Sequence, residues 1–208
     1  MTQKELEDKI NYLTDYIEIC KLQSTYSHYH HLCMFSQMID LFAQKTLGVQ
    51  LEINDSGVYE GIEGVRRFFG QVGYGHKDTP PFPGFLALHM CVNPIIEINR
   101  DGTRAKGLYH SPGCLVREIE GKKVATWDYG KYVMEYAKED GKWKILKLNF
   151  RLTFHTPYEG KGWVEQPEVV SMAFRPDFPP DRPTTYHMPY NPYRLNKFEP
   201  PPPEPYKD

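Results

Sequence analysis

The stretch KVATWDYGKYVMEYAKEDGKWKILKLNFRLTF, residues 123–154, alternates polar and apolar side chains on both sides of a central turn. Alternation with a period of two is typical of β-strands that bury one face. The triplet Glu139-Asp140-Gly141 provides the turn, because Asp-Gly readily adopts the positive φ angles of tight hairpins. The stretch therefore predicts an antiparallel hairpin with strands over 123–136 and 142–154.

The residues before this hairpin extend it into a meander. Residues 85–99 are rich in apolar side chains and predict a long strand, and Arg100-Asp101-Gly102 predicts a second hairpin turn. Segments 103–110 and 115–120 predict further strands. Together these segments predict an antiparallel sheet in the second half of the domain.

The first half of the chain predicts helices. Apolar residues recur at helical spacing over residues 5–33, and Ile10, Leu13 and Ile17 begin the stripe. Helices followed by a meander predict an α+β fold, a cone-shaped α+β barrel whose N-terminal helices pack on a curved mixed or antiparallel sheet and leave a pocket. The shorter predicted elements are helices over 35–44 and 63–71, a strand over 49–53, and a turn or strand over 57–61.

The composition changes after Trp163. Twelve of the eighteen prolines lie from Pro167 onward, and aromatic residues lie between them. Proline excludes helix and central strand, and aromatic residues are scarce in disordered chains. We therefore divide the chain into a domain over 1–163 and an extended proline-rich arm over 164–208. We expect the arm to pack on its own subunit or on a neighbour, with a polyproline ligand at its end as the alternative.

The bulk composition excludes several classes of protein. Of the 208 residues, 40% are hydrophobic, which is enough for a sizeable core. The net charge of −2 argues against nucleic-acid binding, which clustered Lys and Arg drive. No stretch approaches the roughly 20 apolar residues of a membrane span, and the charged N-terminus does not resemble a signal peptide. We expect a cytoplasmic protein with reduced cysteines, because none forms a C-x-x-C or zinc pattern: Cys20, Cys33, Cys91 and Cys114.

Titratable aromatic residues cluster at the end of the first predicted helix. Residues 26–31 read YSHYHH and hold three of the eight histidines and two of the fifteen tyrosines. Tyr and His can move protons near neutral pH without a cofactor, and a helix end can project them into a cavity. The cluster therefore indicates a candidate site for acid–base chemistry.

Four stretches resemble the SnoaL-like branch of the nuclear transport factor 2-like superfamily, an α+β cone fold. The similarity covers residues 5–160, and the layout is similar to that of two cofactor-free lyases, scytalone dehydratase and bile acid 7α-dehydratase. The superfamily also includes non-catalytic members. The four stretches are Tyr26-x8-Phe35 leading to 39–43, residues 57–65, Leu88-His89-Met90, and Tyr136-x4-Gly141-Lys142-Trp143-Lys144-Ile145.

The resemblance implies that a tyrosine and a histidine face a shared cavity as catalytic residues. Tyr26, near the end of the first helix, and His89, in the long strand, match those positions. His31 stands near the place of an acidic residue that the dehydratases carry, and His110 near that of a second strand histidine. Arg151 lies one residue from the position of a functional arginine on the closing strand.

The residues themselves leave alternatives open at these positions. His89 lies among apolar neighbours, so it is either a hydrogen-bonded core residue or an acid or base that faces a pocket. Tyr26 is either a core residue or a donor to a substrate oxygen. Asp128 and Tyr129 lie in a predicted strand, where Asp128 points either to solvent or into the pocket, and we predict that both bind substrate.

These observations predict a cofactor-independent lyase (dehydratase) or isomerase that acts by general acid–base catalysis on a hydrophobic, ring-type small molecule in the cone. The first rival is a non-catalytic small-molecule-binding or assembly module of the same fold. The second is a metal-assisted or mono-oxygenase-like activity at His28 and His31, which share a helix face from which His30 points away. No H-E-x-x-H motif is present, and we predict no metal.

We also expect a homo-oligomer, either a dimer or a trimer. One face of a broad antiparallel sheet is covered by helices, and the other face needs cover of its own.

Overall fold

The computed structural model describes residues 1–54, 56–72, 78–164, 178–197 and 199–207, with the main chain alone at 71 and 72. Helices and strands alternate early in the chain, and strands dominate later, as the predicted α+β class requires. In chain order the elements are α1 (Gln3–His31), α2 (Phe35–Ile39), β1 (Gln50–Ile53), β2 (Val58–Glu60), α3 (Gly61–Val72), β3 (Leu86–His89), β4 (Val92–Ile98), β5 (Arg104–Ile119), β6 (Lys122–Glu139), β7 (Lys142–Pro157) and a 3-10 turn (Gly162–Val164).

The strands form one curved, mixed sheet in the order β2-β1-β7-β6-β5-β3, with β4 also paired to β5. β1 runs parallel to β7, and the other strand pairs are antiparallel. The long pairing of β6 with β7 is the hairpin that the alternation over 123–154 predicts. The helices pack on the concave face of this sheet, which confirms the predicted cone fold.

The hydrophobic core lies between the helices and the concave face. From the helices, Ile19 and Tyr26 of α1 and Phe69 of α3 are buried in it. Because side chains alternate along a strand, the buried even-numbered residues of β6 define the concave face and the odd-numbered ones the convex face. The even-numbered residues are Thr126, Asp128, Gly130, Tyr132, Met134 and Tyr136.

The two halves of α1 have different surroundings. The second half packs on the sheet and buries Ile19, Gln23 and Tyr26, whereas residues 1–14 are exposed. The stripe through Ile10 and Ile17 has the predicted helical spacing, but it faces solvent. Neither α1 nor any other described helix is long and apolar enough to cross a membrane.

Two strand boundaries differ from the prediction. Residues 85–99 form two strands, β3 and β4, and their pairing with β5 is interrupted between them. The predicted strands over 103–110 and 115–120 are one continuous strand, β5. Pro112 does not break β5, because it lies opposite the interruption between β3 and β4, where no partner needs its missing N–H.

The described part of the proline-rich arm packs on its own subunit. Glu52 of β1 is fully buried and accepts hydrogen bonds from the hydroxyl groups of Thr184 and Thr185. Further along, the ring of Tyr186 lies 4.3 Å from the guanidinium carbon of Arg151 on the convex face. The arm therefore covers part of the face whose exposure motivated the expected oligomer, and the homo-oligomer itself stays a prediction.

Candidate active site

One row of facing residues crosses the sheet from β3 to β7. His89 pairs with Gly113, Gly113 with Asp128, and Asp128 with His155. Residues that pair directly across neighbouring strands point to the same face of the sheet. Because Asp128 belongs to the buried set of β6, the row points to the concave face. We call His89, Asp128 and His155 the concave row.

Gly113 makes room in this row. A Cβ atom at this position would collide with the carbonyl oxygen of Leu88 and lie 3.4 Å from Nδ1 of His89. A residue with a side chain would therefore push β3 away from β5. With glycine at this position, no side chain separates His89 from Asp128.

The other end of the row is a carboxylate–histidine pair. Nδ1–H of His155 donates a hydrogen bond to Oδ1 of Asp128, which is 5% exposed. An imidazole that donates from Nδ1 to a carboxylate keeps Nε2 for another partner, and the negative charge stabilises the imidazolium form. The pair therefore fixes the orientation of the His155 ring.

His30 of α1 completes the cluster from the helix side. Its ring stands nearly perpendicular to that of His89, with 5.0 Å between the ring centroids. Burial and, to a smaller extent, the neighbouring His89 lower the pKa of His30 to about 3, against a hydrogen bond that the ring donates to the carbonyl group of Ala87. His30 is therefore neutral at pH 7. His30 points away from the helix face of His28 and His31, which line the cleft, but it contacts His89.

His89 is also held in its neutral form. Burial lowers the pKa of His89, and the Asp128 carboxylate opposes this shift, while the charge of Arg117 adds to it. Arg117 lies four residues beyond Gly113 on β5, on the same face of the strand. A neutral imidazole near a carboxylate can accept a proton, which is the property that a general base needs.

Several imidazole nitrogens of the cluster have no partner among the described residues. The Nδ1 atoms of His30, His31 and His89 are buried and lack a hydrogen bond there. A buried nitrogen left without a partner costs about 1–3 kcal/mol, so such atoms are uncommon unless they serve a function.

Tyr26 lies on the same side of the sheet as His89, with His30 between them. The Tyr26 ring is 6.4 Å from that of His30 and 5.9 Å from that of Tyr132. The hydroxyl group of Tyr132 donates a hydrogen bond to that of Tyr26, and burial raises the pKa of Tyr26 well above its usual value. Tyr26 thus keeps its own proton to donate, but only 1% of the residue is exposed.

A cleft of about 270 Å³ lies beside His89, between α1 and the break between β3 and β4. The hydroxyl group of Ser27 donates a 2.5 Å hydrogen bond to the carbonyl oxygen of His89, which ties the helix to the strand. His31 and His89 share this cleft, whereas Tyr26, Asp128 and His155 do not line it. The lining residues are Ser24, Ser27, His28, His31, Leu88, His89, Met90, Cys91 and Val92.

Three predicted site residues point to the convex face. Tyr129 is an odd-numbered residue of β6 and therefore points to the convex face. Lys131 points the same way, and it pairs with His110 on one side and with Arg151 on the other. Nδ1 of His110 and the hydroxyl group of Tyr129 lie 2.7 Å apart on this face. The sheet separates His110, Tyr129 and Arg151 from His89, so the prediction that all four share one pocket is wrong. Asp128 is the predicted substrate-binding residue that lies with His89.

Sequence reasoning missed His30 and His155. His30 follows Tyr26 by four residues, and residues four apart share a helix face, so the sequence contained a signal for it. No sequence pattern indicated that His155 belongs to the site, because the pairing of β7 with β6 decides the face of the sheet to which its side chain points. Among the described residues, no group of three or more His, Cys, Asp or Glu side chains is arranged to hold a metal ion.

Comparison with known proteins supports the fold. The family model of the SnoaL-like domain matches residues 11–149. The chain belongs to the SnoaL-like domain family. None of the curated proteins compared with it gives a match.

Solved structures with the same fold are distant in sequence. A protein of Novosphingobium aromaticivorans assigned as a scytalone dehydratase has 17% identity and a TM-score of 0.56, over 74% of this chain and 94% of its own. The hexachlorocyclohexane dehydrochlorinase LinA-type3 of Novosphingobium barchaimii has 19% identity and a TM-score of 0.57, over 76% and 99%. An NTF2-like protein of N. aromaticivorans has 13% identity and a TM-score of 0.53, over 73% and 90%. These structures confirm the NTF2-like cone of this SnoaL-like domain.

Proposed function

We propose that this SnoaL-like protein is a cofactor-independent lyase that eliminates water, or another small leaving group, from a hydrophobic ring-type molecule. The observation that carries the proposal is the position of His89. Its neutral, half-buried ring lies between His30 and the Asp128–His155 pair, and its Nδ1 has no partner among the described residues. A merely structural histidine would use that nitrogen in a hydrogen bond.

In the proposed reaction His89 is the general base. It removes a proton from the carbon next to a ring carbonyl group, and the electrons of the broken C–H bond form a new C=C bond. Because burial keeps the pKa of His89 low, the ring is ready to accept this proton at pH 7. Proton transfer to a positioned side chain contributes about 10²–10⁴-fold to a rate.

His155 is the general acid of the same step. The bond from carbon to the leaving oxygen breaks with both electrons on oxygen, and the protonated His155 ring supplies the proton that makes this oxygen water. Asp128 fixes the orientation of the His155 ring through the hydrogen bond to Nδ1. The proton on His89 then returns to His155 through solvent, which closes the cycle.

Tyr26 and His31 have supporting roles in this proposal. Tyr26 is buried and does not line the cleft, so we propose that it holds the ring of His30 in place rather than contacting the substrate. His31 lines the cleft beside His89, where it binds the polar end of an entering ring. The names of two structural neighbours, a dehydratase and a dehydrochlorinase, denote eliminations, which favours a lyase over an isomerase.

The test is turnover of a panel of ring compounds that carry a hydroxyl group β to a carbonyl group. The conjugated product absorbs in the ultraviolet, and chlorinated rings are followed by chloride release. The variant His89→Gln should lose about 10²–10⁴-fold of the turnover. The matched control is His110→Gln, which changes the same residue type on the convex face and should keep full activity. Ring compounds that bind without turnover would instead establish the non-catalytic binding module.

A further inference from the structure

The first half of α1 presents a continuous apolar seam to solvent. Leu6, Ile10, Leu13 and Ile17 are 40%, 52%, 59% and 65% exposed, although each is a large aliphatic residue. Single exposed aliphatic residues are common, but a contiguous exposed patch marks an interaction surface. We call these four residues the α1 seam.

The α1 seam points away from the body of its own subunit. The buried residues of the helix, among them Asp15, Ile19 and Tyr26, lie on the side that packs on the sheet. At about 100° per residue, Ile17 and Ile19 point in nearly opposite directions. The sheet of the same chain therefore cannot cover the seam.

The spacing of the seam selects another helix as its partner. Its members are separated by four, three and four residues, which is the heptad spacing of a two-stranded coiled coil. In heptad terms Ile10 and Ile17 occupy the a positions, and Leu6 and Leu13 the d positions. Among parallel coiled coils, β-branched residues at a with leucine at d favour two strands.

The residues beside the seam are compatible with a second copy. In a parallel pair, Thr2 approaches Glu7 of the second copy, Lys9 approaches Thr14, and Tyr16 approaches Lys21. None of these contacts brings like charges together. Because each sheet lies on the side of α1 opposite the seam, the two bodies occupy the far sides of the helix pair and do not collide.

The start of α1 and the polar residues after Ile17 mark the two ends of the α1 seam. The side chain of Thr2 accepts a hydrogen bond from the backbone N–H of Glu5, and Glu5 accepts one from that of Thr2, so α1 starts one turn before Leu6. On the same face after Ile17, the next heptad positions are Cys20 and Ser24. Ser24 lines the cleft beside His89, so the apolar seam stops before the candidate site.

We propose that the α1 seam is a homodimer interface, in which the first half of α1 forms a short parallel coiled coil with the same helix of a second copy. The seam has only four apolar layers, which is less than a standard interface of about 1,200–2,000 Å² requires. We therefore expect the dimer to dissociate on dilution.

The test is the concentration dependence of the mass of the full chain in sedimentation velocity. The wild-type protein should approach twice its 24.3 kDa chain mass at high concentration and return to the monomer mass on dilution. The variant Leu13→Glu should be monomeric throughout, because it places two carboxylates in one layer. Its matched control is Asn11→Glu, which adds the same charge at an exposed position off the seam and should dimerise like the wild type.

A cross-linking experiment tests the parallel arrangement independently. Oxidation should link Leu13→Cys to itself as a covalent dimer, because d positions face each other across a parallel pair. Asn11→Cys gives the background, and both variants carry Cys20→Ser, because Cys20 occupies the next d position. Three results would overturn the proposal: a wild type that is monomeric at every concentration, an oligomer that Leu13→Glu leaves intact, or a monomer that binds lipid vesicles through this helix.

Discussion

Each face of the sheet carries a histidine that is hydrogen bonded to a neighbouring side chain, and the two pairs differ in charge and surroundings. On the concave face His155 is paired with the Asp128 carboxylate, and on the convex face His110 is paired with the Tyr129 hydroxyl group. The two pairs are adjacent along β6, one residue apart. Residue type alone therefore does not separate a candidate catalytic pair from one on the other side of the sheet.

The surroundings of the two pairs separate them. The concave pair faces His89, a neutral imidazole whose Nδ1 lacks a hydrogen bond within the described residues. The convex pair adjoins Lys131 and Arg151, and the arm covers this face with the ring of Tyr186 over Arg151. The convex pair therefore lies among cations and under an aromatic ring, whereas the concave pair contains a buried carboxylate and lies beside a second imidazole. Acid–base chemistry is therefore expected on the concave face.

The largest expected effect comes from removing the charge of the concave pair. Asp128→Asn keeps the shape of the side chain, but it replaces the carboxylate that orients the His155 ring with a neutral amide. We expect turnover to fall by about 10²-fold or more, the lower end of what a positioned acid contributes. The measurement is the initial rate of product formation on the substrate that the wild type converts.

Tyr129→Phe is the matched change on the convex face. It removes the hydroxyl group that contacts His110 and leaves the ring stacked on Phe154. Turnover should stay at the wild-type value. Equal losses in both variants would show that the two faces do not differ in the way proposed here.

A smaller effect is expected in the pH dependence of stability. Burial lowers the pKa of His30 to about 3, whereas the unfolded chain titrates near 6.5. Below pH 6.5 the unfolded state takes up a proton that folded His30 does not, so stability falls as the pH drops toward 3 and is constant above 6.5. At pH 5 the loss from this group amounts to about 2 kcal/mol.

Urea unfolding at pH 7 and pH 5 measures this effect. His30→Gln should reduce the loss of stability between the two pH values, and His110→Gln on the convex face should leave it unchanged. If both variants lose stability on acidification as the wild type does, His30 is not held neutral by the fold.

Local periodicity explains which parts of the fold could be predicted. The alternation over 123–154 fixes β6 and β7 because it depends on neighbouring residues alone, and the stripe from Ile10 fixes α1 as a helix for the same reason. The break between β3 and β4 could not be predicted, because it depends on how both strands pair with β5. The sequence could not show whether the α1 stripe faces the core or the solvent either, since this depends on where the assembled sheet lies.

The candidate site shows the same limit at one residue. Leu148, Phe150 and Leu152 of β7 point to the concave face, so strict alternation would send His155 to the convex face with Arg151. The pairing shifts between Tyr129 and Gly130, where β7 carries one extra residue, and this bulge returns His155 to the concave face. A bulge depends on both strands, so alternation along one strand does not reveal it.

Arg151 offers the smallest and most discriminating effect. The resemblance to dehydratases implied that Arg151 binds substrate, whereas the structure places it on the convex face under Tyr186 of the arm. Arg151→Met keeps an apolar stem but removes the cation over the ring, which should lower stability by about 0.5–1 kcal/mol in thermal unfolding. KM and kcat should both stay at their wild-type values, because the sheet separates residue 151 from His89. A raised KM with unchanged stability would instead mean that substrate reaches the convex face. That result would contradict the proposed difference between the two faces.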